Sequence, residues 1–264
     1  MKLLAILIAF GLFHWIRKPK TLQSFAWWVT IVAYFKKHDW LKPMWLNRLI
    51  VLLLPVVIVA LLARFFLIQH EHQLWYLVFN SLILYYCLGP EQLEVGAKEI
   101  KLPEDTDSEN SMQWLISKLT NEAIHRWFAV IFWFVVMGAA GALLYRLIEQ
   151  MLAHEETTSD GLIGRLYALL SYPVIWLMTL SLLIASDFDR IWHHCQRYLK
   201  RQDWYRQHLP LLYEAMDFAV ENCEIEDFKS DDFLTVRNTT LAVLKRMLMV
   251  WLVLVAFIVL INIG

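Results

Sequence analysis

Few of the chemically capable side chains in this sequence stand where their chemistry would need them. His70, Glu71 and His72 put two imidazoles and a carboxylate into three residues. A zinc-type site needs a third protein ligand, and none lies nearby. His193, His194 and Cys195 are metal ligands by type, yet consecutive residues on a helix point in different directions. No metal and no cofactor are therefore expected. Ser171, Ser181 and Ser186 have no evident base partner, and no GxSxG, HExxH, phosphate-loop or GxGxxG pattern occurs. Cys87, Cys195 and Cys223 form neither a CxxC pair nor a disulfide framework and read as reduced thiols. Two constellations remain. Asn121, Glu122 and Arg126 precede one apolar run, and Asp187, Asp189 and Arg190 follow another. Brought together, these six would line a polar pocket at the inner face of a membrane. Tyr145 and Arg146 close the first of those runs. At a bilayer boundary such a pair is an anchor, or a cation that receives an anionic ligand or headgroup.

The elements that must position these groups are apolar. Hydrophobic residues make up 59% of the 264, and 13 are tryptophan. Ordinary globular chains are about 45–50% apolar, and here the excess is gathered into blocks. A bilayer core takes roughly 20 helical residues to cross. The uncharged stretches 127–145, 166–186 and 247–264 meet that length almost alone, and 73–90 is adequate. Residues 49–63 continue past Arg64, whose head can snorkel to the headgroups. Residues 3–16 are followed, not preceded, by the RKPK charges, and no small-residue cleavage site comes after them. They read as an uncleaved first helix. Pro55 and Pro173 fall inside spans, where membrane helices tolerate them. The expectation is an all-α, polytopic membrane bundle of about five or six transmembrane helices. It forms a single domain over 1–264, with spans near 3–16, 47–68, 73–90, 127–146, 166–186 and 245–263.

Lysine and arginine alternate along the chain. Residues 17–43 carry six, 91–126 four and 187–246 nine, while 69–72 and 147–164 carry none. The positive-inside pattern places segments 17–46, 91–126 and 187–244 in the cytoplasm and both termini outside. Residues 21–35 space Leu22, Phe25, Trp28, Val29 and Val32 for an amphipathic helix lying in the interface. Residues 91–111, with EDTDSEN, read as an acidic linker, and 187–238 as the largest soluble piece, with short helices. The bilayer is the expected partner. The basic clusters sit among Trp and Tyr at membrane edges, so no nucleic-acid partner is implied.

One stretch combines these features: Arg126–Leu147, RWFAVIFWFVVMGAAGALLYRL. Gly138 and Ala142 lie four apart, with Gly141 beside them. Small residues at that spacing let a second helix approach closely. Gly138, Gly141 and Ala142 are expected at a helix crossing.

The same stretch resembles a known family. FAVIFWFVVMGAAGALLYRL is similar to the fourth-helix motif of the AmpE/CobD/CbiB superfamily of bacterial inner-membrane proteins, in which a run ending in FW precedes a GAxLYR segment. GRLYALLSYPVIWLMTLSLLIASDF resembles that family's later P-R-L … A-L … G-D-F stretch, with Ser186 where glycine is common. The resemblance covers the chain loosely and residues 121–188 well. It implies one of two functions. The CbiB/CobD branch makes adenosylcobinamide phosphate in cobalamin biosynthesis, joining an aminopropanol unit to a corrinoid carboxylate with ATP. The AmpE branch regulates, in association with induction of the chromosomal beta-lactamase, and is encoded beside an amidase that cleaves anhydro-muropeptides. The synthetase pattern has Glu-Asn and then Asp before the FW run, and Asn-Thr-Leu-Asp after LYR. Here Asn121, Glu122 and His125 stand at the first place, and LIEQM follows Arg146. A ligase that uses ATP needs carboxylates to hold Mg²⁺. The resemblance thus implies a non-catalytic inner-membrane regulator of the cell-wall stress response, with a membrane or cytoplasmic partner in cell-wall recycling. The alternative is a synthase of the cobalamin type.

Overall fold

The computed structural model describes residues 2–15, 25–37, 44–68, 73–88, 108–154, 161–186, 188–199, 208–221 and 233–261, and every regular element among them is helical. In chain order these are α1 (Lys2–Trp15), α2 (Ala26–Lys37), α3 (Met44–Ile68), α4 (Gln73–Cys87) and α5 (Ser108–Ala123). A π-helical turn, Ile124–Phe128, leads into α6 (Ala129–Met137) and α7 (Ala139–His154). Then come α8 (Leu162–Ala185), α9 (Phe188–Leu199), α10 (His208–Glu221) and α11 (Phe233–Ile261). His70, Glu71, His72, Asp187, Cys223 and residues 91–107 of the acidic linker lie outside the described residues.

Three helices are long and apolar enough to cross a membrane, over Arg48–Leu67, Leu162–Ala185 and Phe233–Ile258. They answer to three of the expected spans. Pro55 and Pro173 lie inside α3 and α8, which run on through them. The expected spans 3–16 and 73–90 correspond to α1 and α4, apolar over the shorter stretches Leu3–Leu12 and Leu74–Cys87. Residues 26–37 are helical as expected, with Phe25 and Trp28 buried and Trp27, Ile31 and Tyr34 exposed.

The chain forms two compact units. One comprises Met1–Gln92 with His125–Ser171, the other Leu93–Ile124 with Tyr172–Gly264. In the first, α4 packs against α1, α3, α6 and α7. Ala5 and Ala9, one turn apart on α1, are buried there with Ile6. Small side chains at that spacing allow close helix contact. In the second, α5 packs on α10 and α11, and α9 on α10. Helix α11 begins at Phe233, well before the expected 245, because Thr239 and Thr240 in its polar first turns are buried. Buried hydroxyls bond back to their own helices, as Thr120 does to the Ile116 carbonyl (2.7 Å) and Thr240 to that of Val236 (2.8 Å). Such bonds satisfy polar atoms that an apolar environment would otherwise penalise.

The expected span 127–146 is not one helix. It breaks at Gly138, whose backbone sits at φ 72°, ψ −158°. That region is essentially reserved for glycine. A continuous helix would separate His125 from Tyr145 by roughly 30 Å, yet their side chains are 3.0 Å apart. The segment therefore doubles back as a helical hairpin with α6 and α7 as its arms. Helix α6 rises only about 13 Å, less than half of a bilayer core. Val136 and Met137 are exposed at the tip, while Phe128 and Phe134 are buried. Gly141 shows why the arms can close. A Cβ there would meet the Trp133 carbonyl oxygen and the Met137 Cβ at 2.5 and 2.6 Å. The small-residue patch does serve close packing, but between the two arms of one hairpin. Ala142, next to it, is fully buried.

Candidate functional site

The hairpin assembles a polar cluster that neither arm could build alone. The π-helical turn carries His125 at the base of α6, α7 brings Tyr145 back beside it, and the first half of α8 supplies Tyr167 and Ser171. The Tyr145 hydroxyl lies 3.0 Å from His125 Nδ1. The Tyr167 hydroxyl lies 3.0 Å from His125 Nε2 and 3.2 Å from Nδ1. A longer contact, 3.5 Å, joins the Tyr145 hydroxyl to Ser171 Oγ. The rings of Tyr145 and Tyr167 stack at 6.2 Å, and the imidazole stacks on Tyr145 at 6.5 Å. Tyr145 is fully buried and Ser171 nearly so. One turn below Pro173, Trp133 Nε1 donates to the Leu170 carbonyl at 3.1 Å, pinning α6 to the same stretch of α8.

A neutral imidazole has one donor and one acceptor nitrogen, and a hydroxyl can play either part. Ser171, Tyr145, His125 and Tyr167 can therefore pair donors with acceptors along one hydrogen-bonded chain. The serine faces a phenol, which is no general base for a nucleophile. The arrangement is suited to holding α6, α7 and α8 together in one hydrogen-bonded state.

Arg146 points away from this cluster. Its Nη1 donates to Glu149 Oε2 at 2.6 Å, and its Cζ lies 5.7 Å from the centre of the Phe25 ring. Phe25 in turn packs at 4.6 Å on Tyr86, whose hydroxyl accepts from Trp27 Nε1 at 2.6 Å. The Arg146 side chain is only 5% exposed and Glu149 21%. The Nε of Arg146 is buried and has no hydrogen-bond partner among the described residues. Taking a guanidinium out of water costs several kcal/mol. The carboxylate and the ring face of Phe25 offset that cost.

Tyr145 and Arg146, expected at a membrane boundary, are both buried within the protein. Both are core residues of the first unit, because the hairpin turns them inward. Of the expected inner-face pocket, Arg126 belongs to the first unit and Asn121, Glu122, Asp189 and Arg190 to the second. Asn121 Oδ1 accepts a hydrogen bond from the Tyr213 hydroxyl at 3.0 Å, and Glu122 lies 3.9 Å from Lys118 on its own helix. Asp189 and Arg190 are exposed on α9. In the His193–Cys195 run, His193 is exposed while Cys195 is buried, and burial raises the pKa of its thiol. Among the described residues, no three His, Cys, Asp or Glu side chains are grouped to hold a metal ion. Sequence reasoning missed Tyr167 as the partner of His125. It also missed Glu149, although a Glu three residues after an Arg on a helix is a readable pair.

Compared with protein families, curated proteins and solved structures, the chain matches none.

Proposed function

We propose that this protein is a regulatory component of a bacterial inner membrane that takes part in the response to cell-wall damage, and that it is not a ligase. The observation that carries the reading is the role of His125. It stands where the resembling synthetases have an aspartate, and both of its ring nitrogens lie within hydrogen-bond distance of buried phenols, those of Tyr145 and Tyr167. An imidazole held between two tyrosines does not supply the negative charge that Mg²⁺ and a nucleotide need. A hairpin closed on α8 by a few polar contacts is also the kind of two-state element that a regulator requires.

The test is genetic. Deleting the gene should alter survival or beta-lactamase induction under beta-lactam challenge, and the gene should not rescue a strain unable to attach aminopropanol to its corrinoid. Rescue of cobalamin synthesis would overturn the proposal. An unchanged beta-lactam response in the deletion strain would remove its regulatory half.

A further inference from the structure

Helix α9 follows α8 after only two residues, and its exposed surface is not that of a purely soluble helix. Ile191 and Cys195, one turn apart, are buried. This accounts for its packing on α10. Phe188 and Trp192, also one turn apart, are 54% and 39% exposed. Their rings stack in parallel, 6.1 Å between centres and 9° between planes. On a helical wheel Phe188 lies about 20° from Cys195 and about 60° from Ile191, and Trp192 about 60° and about 100° from them, so the pair flanks the buried face on one side. Asp189, His193, Gln196 and Arg197 are exposed on the remaining arc, where the Arg197 Nε–H donates to the His193 carbonyl at 3.4 Å.

The position of this aromatic pair identifies what covers it. On α8 the exposed apolar side chains near the C-terminal end are Leu180 and Ile184. Phe188 and Trp192 continue the same step of four beyond the end of the helix. In the sequence, the exposed apolar side chains of a membrane-compatible helix are thus followed, across the bend at Ser186, by a pair of exposed aromatic rings on an amphipathic helix. Tryptophan prefers the headgroup level, where its ring body is buried and its N–H meets water. Two rings are too small a patch for a stable protein interface, which takes about 20–30 residues a side. They are sufficient to seat a helix that a membrane span already holds at the bilayer.

We infer that α9 lies in the membrane interface, with the Phe188–Trp192 pair inserted at the boundary between phospholipid headgroups and acyl chains. The occupant of this surface is the bilayer itself. The inference rests on the membrane placement of α8 within the proposed function, and not on the regulatory role.

The experiment uses the full-length chain in vesicles of phosphatidylcholine and phosphatidylglycerol, with Cys87, Cys195 and Cys223 replaced by alanine. An environment-sensitive fluorophore is attached in turn through Trp192→Cys, Phe188→Cys, Leu61→Cys on α3 and Glu221→Cys at the end of α10. Lipids carrying a spin label at a shallow or a deep acyl position then quench it. Probes at 188 and 192 should be quenched roughly twofold more by the shallow label than by the deep one, as an interfacial helix requires. The probe at 61 should favour the deep label, and the probe at 221 should respond to neither. If 188 or 192 behaves like 221 while 61 is quenched, α9 faces water or another protein and the inference falls. If 61 also escapes both labels, the membrane placement falls and takes this inference with it.

Discussion

The side chains of His125 and Tyr145, 20 residues apart in the chain, meet at 3.0 Å because the segment between them reverses at one glycine. The contact is both evidence for the hairpin and part of what keeps it closed. Tyr145→Phe keeps the ring and removes the hydroxyl, so it should cost about 1 kcal/mol, as a lost hydrogen bond does. His125→Ala should cost more, because it strands two phenols, one of them fully buried. Unfolding in detergent would measure both. The losses from Tyr145→Phe and His125→Ala should fall short of additive in the double variant. Full additivity would mean that the two side chains do not interact.

Two glycines should fail for different reasons. At Gly138 a Cβ has open space around it, but the backbone conformation is closed to other residues. Gly138→Ala should therefore cost about 1–3 kcal/mol through strain alone. At Gly141 the backbone is ordinary helix and the space is filled by the Trp133 carbonyl. Gly141→Ala should push the arms apart and also weaken the bond from Trp133 to Leu170. Val136→Leu, at the exposed tip, should be close to neutral. Yield and melting temperature of the folded protein after membrane extraction would rank the three.

The Arg146–Glu149 pair should be lopsided under mutation. Glu149→Ala leaves a guanidinium that is 5% exposed without its counter-charge, a change that typically costs about 3–5 kcal/mol. Replacing both residues, as Arg146→Met with Glu149→Gln, should recover much of that loss, since no buried charge remains. Arg146→Lys should not substitute well, because an ammonium does not lie flat on the Phe25 ring. Denaturation midpoints of the three variants would decide. Equal losses in the single and double variants would argue against a buried ion pair.

The hairpin predicts that both of its ends lie on one side of the membrane. In a background without native cysteines, Arg126→Cys and Ala153→Cys should react with a membrane-impermeant maleimide from the same side of sealed vesicles. A segment that crossed as a single helix would expose them on opposite sides. That result would restore the alternation of basic and bare loops on which the sequence-based orientation relies.

What could be read from the sequence follows from what hydropathy measures. Helix α8 was legible because uncharged length alone identifies it, and α3 because its apolar run resumes beyond Arg64; their prolines did not mislead. Residues 127–145 have equal length and equal apolarity, but hydropathy says nothing of the φ angle of residue 138. Everything downstream of that angle was hidden as well. Tyr145 and Arg146 are buried in the core of the first unit, and His125 finds Tyr167, 42 residues on. The early start of α11 was missed for the opposite reason. Its first turns contain Arg237, Asn238, Thr239 and Thr240, polar residues whose helix is held by packing on α5 and α10. The Asn121–Tyr213 contact is a pairing between distant helices that no local spacing encodes.

Gly138 has a consequence for how the protein is made. As it leaves the ribosome, the 127–145 stretch offers the insertion machinery an uncharged segment long enough to be threaded straight across. The partners that favour folding back, Tyr167 and Ser171, have not yet been synthesised. Until then only contacts within the hairpin, such as His125 with Tyr145, can hold it closed, and a β-branched residue in place of Gly138 should send newly made α8 into the bilayer from the opposite direction. Protease protection of chains halted near residue 240, with α8 clear of the ribosome, would reveal that inversion.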